Sequence, residues 1–188
     1  TRYIKGGFDM INEYELISKT KEYKEYIDNH IKNVQKAWSI IDKATSKYKL
    51  NSWGQQNGCN AHMFINKFIR NHDKSKYSIE EFEGYRKKFY PVVGEDFDEE
   101  EFQKAWEHHQ KHNLHHWQSM KAIDYDHVFI LEYTIEMICD WFAMAMQFGE
   151  SHRDYYNKNK DKIELEKWQH ELIEEVYQAL DLWVAETP

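Results

Sequence analysis

The scarcity of glycine and proline limits what this chain can fold into more than any other feature of its sequence. Only 7 Gly and 2 Pro occur among 188 residues, so the chain offers few of the turns that separate short strands. The hydrophobic fraction is 41% and the aromatic fraction is 16%, which is enough to build a substantial core in a chain of this length. These features predict one all-α domain over residues 1–188.

Charge and cysteine usage narrow the class of protein further. The net charge of −8 argues against a protein that binds a nucleic-acid duplex, since such proteins present a basic face. No apolar run reaches the length of a membrane span, and the N-terminal residues TRYIKGGFDM lack the apolar core of a signal peptide. Cys59 and Cys139 lie far apart in apolar patterns, so we expect both to be reduced and buried in a cytoplasmic protein.

Apolar residues that recur every three or four positions predict about six helices. Ser78 with Glu81 is typical of a capping box for the third helix, and Asp98 with Glu101 is typical of one for the fourth. A Gly/Asn-rich break at 51–58 follows the first helix, and residues 150–161 predict a polar connection. The predicted helices cover residues 20–46, 60–72, 79–90, a segment that carries 105–117, then 126–148 and 162–184.

Four polar side chains lie on or beside the apolar faces of three of these helices. His30 lies on the stripe of the first helix, His72 and Asp73 end the second, and Asp140 lies inside the apolar sequence MICDWFAMAM. A carboxylate in an apolar helix is costly to bury unless it is paired or coordinated. Two His and two Asp form a ligand set that suits Mn, Fe, Co, Ni or Zn better than Ca. The sequence therefore predicts one divalent transition-metal ion here.

The densest histidine cluster of the chain lies between Asp73 and Asp140. On a helix that turns about 100° per residue, His109, His112 and His116 fall within a narrow arc. Of these, His109 and His116 border the apolar face of the helix, and they predict a second metal position, bridged to the first through Asp73. If Asn113 interrupts the helix, His115 replaces His116 in this position. In chain order the members are His108, His109, His112, His115 and His116.

The order His … His-Asp … Asp resembles the HD-domain superfamily of metal-dependent phosphohydrolases. The spacing, roughly forty residues and then just under seventy, is similar to its small nucleotidase members. Members with additional histidines before the last Asp bind two or three metals, and some of those are di-iron oxygenases. The resemblance implies an HD-like helical bundle in which His30, His72, Asp73 and Asp140 hold the first metal. It implies that His109, with His115 or His116, holds a second.

A further resemblance covers most of the chain and is to a poorly characterised family of bacteria and their viruses. It rests on HDKSKYSIEEFEGY (72–85), AWEHHQKHNLHHW (105–117), EMICDW (136–141) and YYNKNKDKIEL (155–165). It implies no activity, and it implies host cytoplasm if the sequence is viral. The chain departs from most dinuclear HD proteins because its intervening histidines lie within one short stretch. Lys76 stands where some mononuclear nucleotidases have an acidic residue.

The HD resemblance implies a phosphohydrolase that acts on a nucleotide or another small phosphorylated metabolite through a metal-activated water. Lys76 would bind a phosphate oxygen as a point charge. Glu136, one turn before Asp140, would orient a ligand or act as a base. The predicted catalytic residues are Asp73, Lys76 and Glu136, and the predicted substrate contacts are Lys76, Arg70, Tyr77 and Trp117.

Two other functions fit the same residues. One is a di-iron oxygenase on the same scaffold, which the histidine cluster supports. The other is a non-catalytic, metal-stabilised protein that binds a ligand or inhibits a partner. A homo-oligomer is compatible with all three. A plainer interpretation also fits: His72 and Asp73 end a helix, His30 is a hydrogen-bonded core histidine, and the clustered histidines form a solvated face.

Overall fold

The computed structural model of the protein describes residues 12–49, 59–120 and 129–186. Within these ranges the chain is helical and has no β-strand, which confirms the all-α prediction. A 3-10 helix spans Lys74–Tyr77. The α-helices are α1 (Glu13–Tyr48), α2 (Cys59–Asn71), α3 (Phe82–Phe89), α4 (Glu99–His112), α5 (Trp117–Met120), α6 (Ile130–Phe148), α7 (Asp154–Asn159) and α8 (Lys167–Glu186).

Helix α6 lies at the centre of the bundle and packs against α1, α2 and α8. Its sequence, ILEYTIEMICDWFAMAMQF, is apolar around most of its circumference, and 11 of its 19 residues are buried. A helix that is apolar on nearly all sides is stable only when other elements surround it. The sequence of α6 therefore sets the arrangement of the long helices, which enclose it.

Two apolar clusters meet along α1. The larger contains Val34 of α1 with residues of α2, α6 and α8. The smaller contains Ile27 of α1 with Tyr85 of α3 and Ala105 of α4. His30 lies between Ile27 and Val34 on the buried face of α1 and is only 2% exposed. The polar site described below therefore forms at the boundary between the two clusters.

The first half of the chain shows where capping signals predict helix ends and where they do not. Helix α1 begins at Glu13 rather than 20, because the Asn12 side chain accepts two backbone N–H groups of its first turn. The capping box predicted at Ser78 and Glu81 is wrong, since α3 begins at Phe82 with no side-chain capping bond. Asp98 caps α4 as predicted and accepts the backbone N–H of Glu100 at 2.9 Å.

The C-terminal third differs from its prediction in two places. The polar connection predicted at 150–161 contains helix α7, whose Tyr156 is buried in the larger cluster. Helix α8 begins at Lys167 rather than 162, because the Gln169 side chain accepts the backbone N–H of Glu166 at 3.0 Å. Helix α6 begins at Ile130, and residues 126–128 of its predicted range lie outside the described residues.

Cys139 is free and buried, as predicted. The side chain of Cys59 and the break predicted at 51–58 lie outside the described residues. None of the described helices is both long and apolar enough to cross a membrane.

Candidate metal centre

Three helices bring the four candidates for the first metal position together. His30 comes from α1, His72 and Asp73 follow α2, and Asp140 comes from α6. His30 Nε2 lies 3.2 Å from His72 Nε2, 3.4 Å from Asp73 Oδ2 and 3.1 Å from Asp140 Oδ1. His72 Nε2 lies 3.6 Å from Asp73 Oδ2 and 3.7 Å from Asp140 Oδ1. The predicted first ligand set therefore converges on one point.

Asp73 takes a backbone conformation that few residues adopt. Its φ is 53° and its ψ is 15°, in the left-handed region, which Asp and Asn tolerate better than most side chains. The turn separates α2 from the 3-10 helix at Lys74–Tyr77. It leaves the Asp73 carboxylate buried, with Oδ2 toward His30 and Oδ1 toward His109. The two oxygens thus face two different groups of histidines.

A second group of imidazoles lies on the Oδ1 side of Asp73. His109 Nε2 is 3.4 Å and His115 Nε2 is 3.7 Å from Asp73 Oδ1, and His116 Nε2 is 2.9 Å from His109 Nε2. Helix α4 ends at His112, and Asn113 is its C-cap. The sequence left His115 and His116 as alternatives, whereas the structure brings both to the second position.

Two buried carboxylates hold the outer nitrogens of the ligand histidines. Glu136 Oε1 lies 3.0 Å from His72 Nδ1, and Glu81 Oε2 lies 2.8 Å from His109 Nδ1. Such a partner keeps the proton on Nδ1 and turns the Nε2 lone pair toward a metal. Each candidate metal position therefore has a histidine that a carboxylate orients, and Glu136 Oε1 also lies 3.5 Å from His115 Nδ1 of the second group.

Opposing electrostatic effects set the protonation of the first position. Burial disfavours a charged imidazole, but the carboxylates of Asp73, Asp140 and Glu136 outweigh it and raise the pKa of His72 to about 10. The pKa of His30 is also raised, against burial, by Asp140 and Asp73. Burial alone would raise the pKa of Asp73, but His72 and Lys76 hold it well below its usual range. At neutral pH His72 is therefore protonated and pairs with the carboxylates of this position.

The second position has the opposite character. Burial, reinforced by His109, lowers the pKa of His116 to about 4. Burial, with His116 and His72, also holds the pKa of His115 well below its usual range. Both imidazoles are therefore neutral at pH 7, which is the form that binds a metal.

The donor atoms are spaced as metal ligands are, and two of them lack a hydrogen-bond partner. Ligand atoms that each lie about 2.1 Å from an ion are about 3.0–3.4 Å from one another. The distances between donor atoms of the first ligand set are 3.1–3.7 Å, which is close to this range. Three sets of these groups hold atoms within 4.8 Å of one another: His30, His72 and Asp73; His72, His115 and Asp140; Asp73, His115 and His116. Asp73 Oδ1 and His115 Nε2 are buried without a hydrogen-bond partner. Buried polar atoms seldom lack one, so these clusters could hold a metal.

Comparison with known families places the chain. The profile of a family of unknown function, DUF5662, matches residues 19–184. The chain belongs to DUF5662. No curated protein and no solved structure matches it. Residues 19–184 include every candidate ligand named above, so the candidate metal centre lies within the part of the chain that matches the family.

Lys76 joins the candidate metal centre of this DUF5662 member to an aromatic cavity. Its ammonium lies 2.6 Å from Asp73 Oδ2 and 5.6 Å from the centre of the Tyr85 ring. Burial lowers the pKa of Lys76, but Asp73 outweighs it and raises the pKa, so the amine stays charged. The cavity has a volume of about 550 Å³, and its wall also includes Tyr23 and Tyr26.

A second cavity, of about 360 Å³, also borders the candidate metal centre. His116 and Asp140 belong to its wall, together with Trp106 and Trp117. Met144 and Phe148 line both cavities. Two predicted ligands thus border the second cavity, and Trp117 lines this cavity rather than the one that Lys76 lines.

Some predicted residues lie away from this centre. Arg70 is exposed on the last turn of α2. The Tyr77 hydroxyl donates to Asp28 on the exposed side of α1, because the 3-10 helix turns Tyr77 outward. His112 is exposed and stacks on His108 at 3.9 Å between ring centres. The predicted substrate contacts of Arg70 and Tyr77 therefore have no support from their positions.

Glu81 is the functional residue that sequence reasoning missed. Its sequence context, three residues after Ser78, indicated a helix cap. The structure instead buries it completely and directs its carboxylate to His108 and His109, 27 and 28 residues further along the chain. No local pattern marks such a contact, because it depends on the packing of α3 on α4.

Proposed function

We propose that the protein is a metal-dependent phosphohydrolase that acts on a nucleotide or another small phosphorylated metabolite. One observation carries the proposal. The carboxylate of Asp73 faces two groups of metal-ligating atoms, and the same carboxylate touches Lys76 at the wall of an aromatic cavity. This arrangement supports the HD-type reading of the sequence, with Mn, Fe, Co, Ni or Zn as the metals its ligands favour.

The proposed mechanism assigns each group a role. Bound divalent ions would supply a water of lowered pKa and neutralise phosphoryl charge. Lys76, charged and only partly exposed, would bind a phosphoryl oxygen where its side chain meets the cavity. Glu136 was predicted as an orienting group or a base, and its hydrogen bond to His72 supports the orienting role.

The cavity wall suits an uncharged, flat group next to the phosphate. Among the described residues of this wall, Lys76 is the charged one, and Tyr23, Tyr26, Tyr85 and Tyr90 supply aromatic rings. Aromatic rings bind planar groups by stacking, and phenol hydroxyls add hydrogen bonds. A nucleotide base meets this description, so the cavity supports a nucleotide over a sugar phosphate.

The test combines metal content with turnover. Wild type is loaded with Mn²⁺, Co²⁺ or Zn²⁺, and its metal content is measured by mass spectrometry. The loaded protein is then incubated with aryl phosphate mono- and diesters and with nucleotides. We expect phosphate or alcohol release that Asp73→Asn abolishes and Lys76→Met reduces by about 10–100-fold, since a charged hydrogen bond of about 1.5–3 kcal/mol is lost. His112→Ala is the matched control, because His112 is exposed and outside the centre.

Two results would end the proposal. One is a wild-type protein that takes up no metal under any loading condition. The other is a metal-loaded protein that hydrolyses none of the esters. Tight nucleotide binding without turnover would favour the non-catalytic alternative.

The proposed setting is the cytoplasm, where the buried Cys139 stays reduced.

A di-iron oxygenase is the second candidate, because the second position supplies three imidazoles and a shared carboxylate. Such nitrogen-rich sets suit iron as well as zinc or manganese. Anaerobic loading with Fe²⁺, followed by partial oxidation, would then give the electron paramagnetic resonance signal of a mixed-valent pair. Oxygen uptake with a small-molecule substrate would decide for this candidate over the hydrolase.

A further inference from the structure

Glu81 is a buried carboxylate whose two oxygens are both bonded to imidazoles. Oε1 lies 2.7 Å from His108 Nδ1 and Oε2 lies 2.8 Å from His109 Nδ1. Glu81 is 0% exposed, whereas the His108 side chain is 26% exposed. Among the described residues, no Lys or Arg forms a salt bridge with Glu81. A carboxylate buried without a cationic side chain is costly, so these contacts call for a function.

The bond to His109 determines what that ring presents to the metal centre. A carboxylate beside Nδ1 accepts a hydrogen bond from Nδ1–H, so the proton stays on Nδ1 and Nε2 carries the lone pair. His109 Nε2 then faces Asp73 Oδ1 at 3.4 Å and His116 Nε2 at 2.9 Å. Ser75 Oγ and Asn113 Nδ2 also lie near Nδ1, at 3.5 Å and 3.1 Å. Neither is as close as Glu81.

Glu81 reaches only the second group of ligands. In the first group, His72 Nδ1 bonds to Glu136 of α6 instead. The two orienting carboxylates come from different elements, because Glu81 is the N-cap residue of α3 and Glu136 lies in α6. Removal of Glu81 should therefore leave the first position with His72 still oriented, whereas Glu136 also lies 3.5 Å from His115 Nδ1 of the second group.

We propose that Glu81 is a positioning residue that determines occupancy of the second metal position without determining occupancy of the first. The inference rests on the metal centre of the proposed function and deepens it. Loss of an outer carboxylate that orients a ligand histidine weakens metal affinity by about 10–100-fold. The second ion should lose this affinity in Glu81 variants, while the first ion keeps its own.

Co²⁺ is the probe, because its visible absorption reports each binding event in the full-length protein. Metal-free wild type, Glu81→Ala, Glu81→Gln and Glu136→Gln are titrated with Co²⁺, and bound metal per chain is confirmed by mass spectrometry. His108→Ala is the matched control, because it removes the partner of the other Glu81 oxygen and leaves His109 in place. Circular dichroism checks that each variant is folded.

We expect two ions per chain in wild type and in His108→Ala. In Glu81→Ala the second ion should bind about 10–100-fold more weakly and the first within about threefold of wild type. Glu81→Gln should lose less, since its amide oxygen can still accept from one imidazole. In Glu136→Gln the first ion should lose more affinity than the second.

The inference is overturned if Glu81→Ala binds the second ion as wild type does, or if it weakens both ions equally while folded. If Glu81→Ala does not fold, the Glu81→Gln titration decides by the same criteria. If wild type and the Glu81 variant both bind two ions with the same affinity, this inference is wrong and the proposed function still stands. A wild type that binds none removes both.

Discussion

Asp73 offers the sharpest test of the site, because one residue carries a buried charge, a bridging role and an unusual backbone conformation. Two substitutions separate these contributions. Asp73→Asn removes the charge and keeps a side chain that tolerates the left-handed region, whereas Asp73→Ala removes the charge and adds backbone strain. Both are measured on metal-free protein, so that stability reports the side chain and not the metal.

The size of the effect follows from the partners of Asp73. Its Oδ2 lies 2.6 Å from Lys76 Nζ, and His30 and His72 lie within 3.6 Å of the same oxygen. Loss of one partner from a buried ion pair costs about 3–5 kcal/mol, because the other charge stays buried. Alanine at a φ of 53° adds about 1–2 kcal/mol. We therefore expect Asp73→Asn to lose about 3–5 kcal/mol of stability and Asp73→Ala to lose more.

Urea denaturation in a chelating buffer measures both values. With a slope of about 2 kcal/mol per M, the midpoint should fall by about 1.5–2.5 M in Asp73→Asn. Asp42→Asn is the control, because its partly exposed contact with His62 should contribute under about 1 kcal/mol. An Asp73→Asn midpoint equal to wild type would refute the buried ion cluster. Equal midpoints for the Asn and Ala variants would refute the strained backbone.

Three further predictions address protonation, helix packing and a second buried ion pair. Because the pKa of His72 is raised to about 10, a metal must displace its proton, and affinity at the first position should rise about tenfold per pH unit between pH 6 and 8; a metal-indicator competition that shows no pH dependence would contradict this. In Gly84→Ala the new Cβ would lie 2.9 Å from the Ala105 Cβ, so α3 and α4 must separate, and the melting temperature should fall by the equivalent of about 1–3 kcal/mol; an unchanged melting temperature would show that the helices adjust freely. Arg86 holds the pKa of Glu95 below its usual range despite burial, so the stability from this pair is present above about pH 4 and is lost as pH falls through the lowered pKa; the loss between pH 5 and 3 should be smaller in Glu95→Gln, and identical acid titrations would refute it.

The sequence predicted the elements of the fold well because the apolar periodicity is strong. The helix around Asp140 is apolar on nearly every side, so its central position followed from its composition. The four candidate ligands of the first position could also be selected from the sequence, since each lies on or beside such a stripe, and the structure brings them together. Helix ends were less predictable: Ser78 and Glu81 match a capping box, yet the packing of α3 on α4 takes the Glu81 carboxylate for two histidines.

The second metal position was only half predictable, because it depends on where α4 stops. Helical geometry alone places His109 and His116 on one face and leaves His115 off it. The structure ends α4 at His112, and the Asn113 side chain donates to the backbone oxygen of His109 at 2.8 Å and to Ser75 Oγ at 2.6 Å. These two bonds tie the end of α4 to the 3-10 helix that follows Asp73. Beyond this point the chain is no longer bound to the helical register, so His115 and His116 both turn toward the centre. Asn113 thus lets histidines of one short stretch come together at the second candidate metal position.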